Sequence, residues 1–272
     1  MLINGSLEPG ISALDRGLQY GDGLFETLAV IDGVPCLWQR HIQRLEQGCR
    51  RLNIALPESG ILLEEVNREI GGRSQGVIKI ILTRGAGGRG YLPPQNQKPT
   101  RLVRYSEWPA YPAQFLHTGV RARLCDSRLG RNPALAGLKT LNRLEQVLAR
   151  AEWRDANISE GVMRDVEGNL IEGTMSNLFL INEEQLSTPD LSYSGVAGIM
   201  RDLVLEQAVQ LGLSLSVDKL SLEDLKAADG IFFTNSLIGI WPVREIDGKE
   251  YDPAAVPGAL LAAVMDHGFR FV

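Results

Sequence analysis

At 272 residues the chain has room for one large domain or two modest ones. Hydrophobic residues make up 44% and charged residues 22%, the balance of a soluble globular protein and not of a disordered or fibrous one. The net charge of -5 excludes a general binder of nucleic acid or anionic membrane, while leaving room for a local basic pocket.

No apolar run approaches the roughly 20 residues that span a bilayer. The first ten residues, MLINGSLEPG, lack the basic start and apolar core of a signal peptide. The cysteines (Cys36, Cys49, Cys125) and histidines (His41, His117, His267) are scattered, with no metal-ligand pair or disulfide framework among them. Reduced thiols in a cytoplasm, and no metal, are the expectation.

In chain order, MLING reads as a strand followed by a turn. Residues 24–30 (LFETLAV) and 35–37 flank Asp32-Gly33, a hairpin signal. Trp38–Leu52 carries Trp38, Ile42, Leu45, Cys49 and Leu52 at helical spacing, and 57–70 reads as a second helix. Residues 76–84 (GVIKIILTR) form a strong strand, and 102–105 another. This half is expected to be an antiparallel sheet with helices on one face. EWPAYPAQ (107–114) carries two Pro and no period, which places a linker at 108–117 between domains 1–107 and 118–272. The second domain is expected to hold strands at 120–125, 160–164, 177–181 and 230–234. Its expected helices are 138–153, 199–211, 222–228 and 258–265.

Six features could carry chemistry. Lys139 stands at the expected opening of the 138–153 helix, where the helix dipole disfavours a cation. A desolvated lysine can form an imine with a carbonyl, but composition and spacing alone favour a solvent-exposed side chain. Glu172 lies at a strand end in LIEGTMSNLFL, beside small polar residues. GVAGIMRD (195–202) runs from a Gly-containing loop into a helix, whose first N–H groups offer an anion site. Arg44, in HIQRL, reads either as a solvated face residue or as a bidentate phosphate clamp. Thr234-Asn235-Ser236 places small polar groups at a strand end, as ligand contacts or as turn formers. RGAGGRGY (84–91) is a Gly-rich loop with two Arg, suited to a carboxylate-bearing substrate or to a hairpin tip.

Taken in this order the signals resemble the fold-type IV pyridoxal-phosphate (PLP) enzymes. The residues that carry the resemblance are Asp15-Arg16-Gly17, the run from Tyr20 to Glu26 (YGDGLFE), His41 to Leu45, Lys139 with Asn142, Glu172-Gly173-Thr174 with Ser176-Asn177, and Gly198-Ile199 with Arg201. The match runs from about residue 3 to about residue 245. Within that family RGAGGRGY, the stretch 129–150 and GIMR are most similar to the aminodeoxychorismate lyases. Phe25-Glu26 is instead the pairing common in the aminotransferases.

The resemblance implies an α+β fold of two domains, the second binding PLP, in a homodimer. It implies Lys139 as the lysine that carries PLP and Glu172 as partner of the pyridine nitrogen. Arg44, the N–H groups of Ile199 and Met200, and Asn235 with Ser236 are then expected at the phosphate. Arg89, and after it Arg128 or Arg131, is expected at the carboxylates of 4-amino-4-deoxychorismate. The alternatives are an aminotransferase, which needs a keto-acid acceptor, and a small-molecule binding protein without catalysis.

Overall fold

The computed structural model describes residues 1–7, 10–183 and 185–267. The chain divides into two units, Met1–Ala110 with Leu138–Asn142, and Tyr111–Gly137 with Arg143–Val272.

The first unit contains β1 (Leu2–Ile3), α1 (Arg16–Tyr20), β2 (Gly23–Ile31), β3 (Val34–Pro35), α2 (Trp38–Leu52), α3 (Ser59–Ile70), β4 (Gly76–Thr83) and β5 (Thr100–Ser106). Among the described residues these strands make a five-stranded antiparallel sheet in the order β1-β5-β4-β2-β3. Strand periodicity puts Leu24, Leu28 and Val30 of β2 on one face with Ile78, Ile80 and Leu82 of β4. The apolar stripes of α2 (Ile42, Leu45, Cys49) and α3 (Leu62, Val66, Ile70) bury that face. Asp32 and Gly33 both take positive φ, 52° and 76°, as a tight hairpin between β2 and β3 demands.

The second unit contains α4 (Phe115–Thr118), β6 (Val120–Leu129), α5 (Leu144–Arg150), β7 (Ile158–Asp165), β8 (Leu170–Gly173), β9 (Asn177–Asn182) and β10 (Gln185–Pro189). These are followed by α6 (Ile199–Gln210), β11 (Ser214–Asp218), α7 (Leu222–Ala227), β12 (Gly230–Asn235), β13 (Gly239–Ile246), β14 (Lys249–Glu250) and α8 (Gly258–Met265). A mixed sheet runs β11-β10-β9-β12-β13-β6-β7-β8, with β14 on β13. Its core gathers Leu178, Leu180, Ile231, Phe233, Trp241 and Val243. The rings of Phe179 and Phe232 stack at 4.8 Å.

The architecture is α+β in two parts, as expected, but the helix expected over 138–153 is not. Helix α5 starts only at Leu144, and Leu138–Asn142 is extended and packs with the first unit. Of the residues expected on one helical face (Leu141, Leu144, Leu148, Ala151), Leu141 precedes the helix, and Leu144 and Leu148 lie on α5 at 76% and 63% exposure. What holds the segment extended is strand pairing, with Phe25 N–H donating to the Lys139 carbonyl at 3.0 Å and Leu141 N–H to the Gly23 carbonyl at 3.0 Å. The second unit is interrupted at Leu138–Asn142, which clusters with the first. Strand β13 was also not anticipated, because Pro242 sits inside it.

Candidate functional site

Lys139 lies on the strip paired with β2, not at a helix opening. Its Nζ stands 4.4 Å from the centroid of the Phe25 ring, which faces away from the helix-covered side of β2. The strip is anchored further by Asn142, whose Nδ2 donates to the Gly21 carbonyl at 3.1 Å. Gly21 has φ 66° and a Cβ there would lie 2.4 Å from Asn142 Oδ1, so the position admits only glycine without rearrangement.

On the opposite face of β2, Glu26 points into apolar surroundings between Leu24 and Leu28 and is 1% exposed. A carboxylate there is tolerable only if its charge is met. Helix α2 supplies the partners from positions three apart on one face. His41 Nδ1 lies 2.7 Å from Glu26 Oε2, and Arg44 donates from Nε to Oε1 at 2.8 Å and from Nη2 to Oε2 at 2.5 Å. Burial alone would raise the Glu26 carboxyl, but Arg44 and His41 outweigh it and hold the group at about 2. Burial pushes His41 down, and the charges of Arg44 and Lys139 add to that against the bond to Glu26. Arg44, a candidate phosphate clamp from the sequence, is thus set in place by a bidentate ion pair.

This pair carries a stability signature. With a depressed folded pKa, Glu26 contributes stability above its ordinary 4.5 that is lost as pH falls toward about 2. The shift corresponds to something on the order of 3 kcal/mol. Glu26→Gln is therefore expected to lose about that much stability at pH 7 and distinctly less at pH 3. Urea denaturation at both values checks it, and an equal loss at the two would contradict an ionised pair.

The 84–91 loop divides its two arginines. Arg84 is buried and spent on structure, donating to Asp22 at 2.8 and 2.9 Å and to the Asn53 and Leu52 carbonyls at the end of α2. Arg16 shares Asp22 and holds the loop by donating to the Gly90 and Tyr91 carbonyls. Arg89 is exposed on that loop. Arg131 pairs with Asp165 and Glu167 and covers the Tyr193 ring at 4.0 Å. Arg128 keeps a buried Nη1 without a hydrogen-bond acceptor in the structure.

In the second unit Glu172 ends β8 and is buried. Its Oε2 accepts from Val196 N–H at 2.7 Å and its Oε1 from Gln146 Nε2 at 3.2 Å. Asn177 grips the same residue from the other side, donating to the Val196 carbonyl at 2.9 Å. Two residues on, Gly198 caps α6 without a side chain, so the first N–H groups of that helix, including those of Ile199 and Met200, receive no side-chain cap. A Cβ on Gly198 would fall 2.0 Å from Asn177 Oδ1, and one on Gly195 would meet Ile171 and Glu172. At the end of β12, Asn235 Oδ1 accepts from Leu237 N–H and Ile238 N–H, while its Nδ2 donates to the Met175 carbonyl at 3.1 Å. Its side chain shapes the turn that carries the half-buried Ser236.

A model of the family Amino-transferase class IV matches residues 23–246. The chain belongs to that family. It is 39% identical over 249 residues to the aminodeoxychorismate lyase of Vibrio harveyi, covering 91% of this chain and 92% of that one. The solved 4-amino-4-deoxychorismate lyase of Pseudomonas aeruginosa superposes with a TM-score of 0.91 at 47% identity, over 97% and 96% of the two chains. The T.th. branched-chain amino acid aminotransferase, solved with pyridoxamine 5'-phosphate, gives 0.83 at 26% identity over 98% and 94%.

The sequence marked Asn177 and the stretch holding Val196 but not how they join, and Gln146 it did not single out. The bonds around Glu172 link residues 19 to 26 apart in the chain, and no local pattern announces them. Glu160, buried in the middle of β7, was also missed. Its only trace is an acid in an otherwise apolar strand, ISEGVM.

Proposed function

We propose that the chain is a PLP-dependent lyase that converts 4-amino-4-deoxychorismate to 4-aminobenzoate and pyruvate. The observation that carries the reading is the buried carboxylate of Glu172, fixed by Val196 N–H two residues from the glycine start of α6. An anion partner for a ring nitrogen and a helix start for a phosphate are thereby set at a fixed spacing, which fits PLP. Likeness to two lyases over more than nine-tenths of the chain favours the lyase over the aminotransferase.

PLP, when bound, supplies an electron sink for the carbon that bears the substrate nitrogen. Lys139 Nζ would hold the cofactor and would be the base placed to take the proton from that carbon. Glu172 keeps the ring nitrogen protonated. The phosphate is assigned to Arg44, to Ile199 and Met200 N–H, and to the Asn235-Ser236 turn. Arg89 is assigned to a substrate carboxylate. Departure of the enolpyruvyl group leaves an aromatic ring, which makes the step strongly downhill.

Incubation with 4-amino-4-deoxychorismate alone is therefore expected to yield 4-aminobenzoate and pyruvate in equal amounts. Chromatographic quantification with and without 2-oxoglutarate checks it. Turnover that requires the keto acid would assign the chain to the aminotransferases, where Phe25-Glu26 also points.

The cytoplasm is the proposed location, in keeping with three cysteines that form no disulfide. A homodimer is the proposed assembly. Leu144, Val147 and Leu148 lie on one side of α5 and are exposed, an apolar stripe that a second copy would cover. Light scattering is expected to give a mass twice that of one chain, and Leu148→Glu to shift it toward one.

A further inference from the structure

The carboxylate of Glu160 has no part in the reaction just described, yet it accepts five hydrogen bonds. It is completely buried on β7. Its Oε1 accepts from Gly161 N–H at 2.9 Å, from Thr174 N–H at 2.9 Å and from Thr174 Oγ1 at 2.5 Å. Its Oε2 accepts from Ser176 Oγ at 2.7 Å and from Met175 N–H at 3.3 Å. Four of these five donors belong to three consecutive residues, 174–176, the turn between β8 and β9. A well-packed apolar side chain could fill the same space at no electrostatic cost. What the carboxylate adds is direction, since it can hold several donors of one turn in a single arrangement.

One exit of that turn is Glu172, assigned to the cofactor, and both exits reach the loop before α6. Just before it, Glu172 accepts from Val196 N–H, and just after it, Asn177 donates to the Val196 carbonyl. The two ends of the turn thus clasp one residue of the loop that starts α6. From the middle, the Met175 carbonyl receives Asn235 Nδ2, which ties in the Asn235-Ser236 turn. The turn is closed by Gly173 N–H donating to the Ser176 carbonyl at 2.7 Å. A Cβ on Gly173 would sit 2.2 Å from Ser176 Oγ and 2.9 Å from the Glu160 carboxylate, so glycine is what lets the acid approach.

We propose that Glu160 is a positioning residue for the cofactor. By fastening residues 174–176 it sets the spacing between Glu172, the start of α6 and the Asn235-Ser236 turn. The proposal rests on the PLP reading above. Burial raises the Glu160 carboxyl above the usual carboxylate range, and the donors from Thr174, Ser176 and Gly161 offset this only in part.

Glu160→Gln tests it with almost no change in volume. An amide nitrogen on the Oε1 side would face two backbone N–H groups, so it must take the Oε2 side. There Ser176 has to reverse its hydroxyl and Met175 N–H loses its acceptor. The measurement is titration of PLP into the cofactor-stripped full chain, followed by tryptophan fluorescence, beside the melting temperature of the same stripped protein. Glu160→Gln is expected to bind PLP about tenfold more weakly, as for one charge-assisted bond misplaced. The melting temperature is expected to fall by no more than about 4 °C.

Wild-type affinity in Glu160→Gln overturns the proposal, whatever the melting temperature does, because a purely structural role lowers stability without changing affinity. Should Glu160→Gln fail to fold, Thr174→Val decides. It removes only the Oγ1 donor and is expected to weaken PLP about threefold, and unchanged affinity again overturns the proposal. Absence of PLP binding in the wild-type chain would instead overturn the cofactor reading itself, and this inference with it.

Discussion

Lys139→Ala is expected to lose essentially all turnover, by a factor of about ten thousand or more. Two roles fall on one nitrogen. In the proposed mechanism Lys139 Nζ would be the attachment point for PLP and also the base at the carbon bearing the substrate nitrogen. The fold places this nitrogen with care. The Lys139 carbonyl is bonded to Phe25 N–H, and Leu141 and Asn142 fix the strip on the following residues. With the backbone tied on both sides, only the side-chain torsions stay free to swing between holding the cofactor and reaching for a proton. The alanine variant keeps every one of those backbone bonds, so its loss should be chemical and not structural. Circular dichroism is expected to be unchanged, while the absorption of lysine-bound PLP near the visible edge disappears. Reduction with borohydride followed by peptide mapping should mark Lys139 in the wild-type chain. Label on any other lysine would reject the assignment.

The sequence made Lys139 visible as a residue but not its setting. Its neighbours Leu138, Leu141, Leu144 and Leu148 have helical spacing, and local periodicity cannot tell a helix from an extended strip that enters a helix. The deciding interaction is pairing with β2, more than a hundred residues earlier, and long-range pairing overrides a local pattern. Helix α2 was legible for the opposite reason. Its apolar stripe is continuous from Trp38 to Leu52, and both of its ends matched. Arg44 was legible as a candidate but not its dependence on Glu26, because an acid on the buried face of a strand looks like a break in the pattern until its partners are known. Glu160 is the same case in the second unit. Four of its five donors lie 14 to 16 residues away in a turn whose shape the sequence does not spell out. The motifs marked candidate positions for chemistry, and the buried acids bonded around them left almost no local sign.

Glu172→Gln is the second large effect, and it separates the electronic role of the carboxylate from its structural one. The side chain makes two kinds of contribution. Oε2 accepts from Val196 N–H and Oε1 from Gln146, which orders the loop before α6. A glutamine oxygen can still accept from Val196 N–H, and the Gln146 amide can turn over to present its own oxygen to the new Nε2. The loop should therefore survive the substitution, and PLP should bind in full stoichiometry. What glutamine cannot supply is the negative charge that keeps the ring nitrogen protonated. With that charge gone the ring draws electrons poorly, and Lys139 must remove a proton from a much weaker acid. In a buried site the loss of one such interaction costs about a hundredfold to a thousandfold in rate. The penalty should fall on kcat, because the interaction matters most once charge develops at the reacting carbon. Substrate deuterated at the carbon bearing nitrogen provides the check. Glu172→Gln is expected to show a kinetic isotope effect larger than that of the wild-type chain, since proton removal becomes the slow step. Full turnover in the variant, or a lower rate with no isotope effect, would place the carboxylate's role in the loop and remove it from the chemistry.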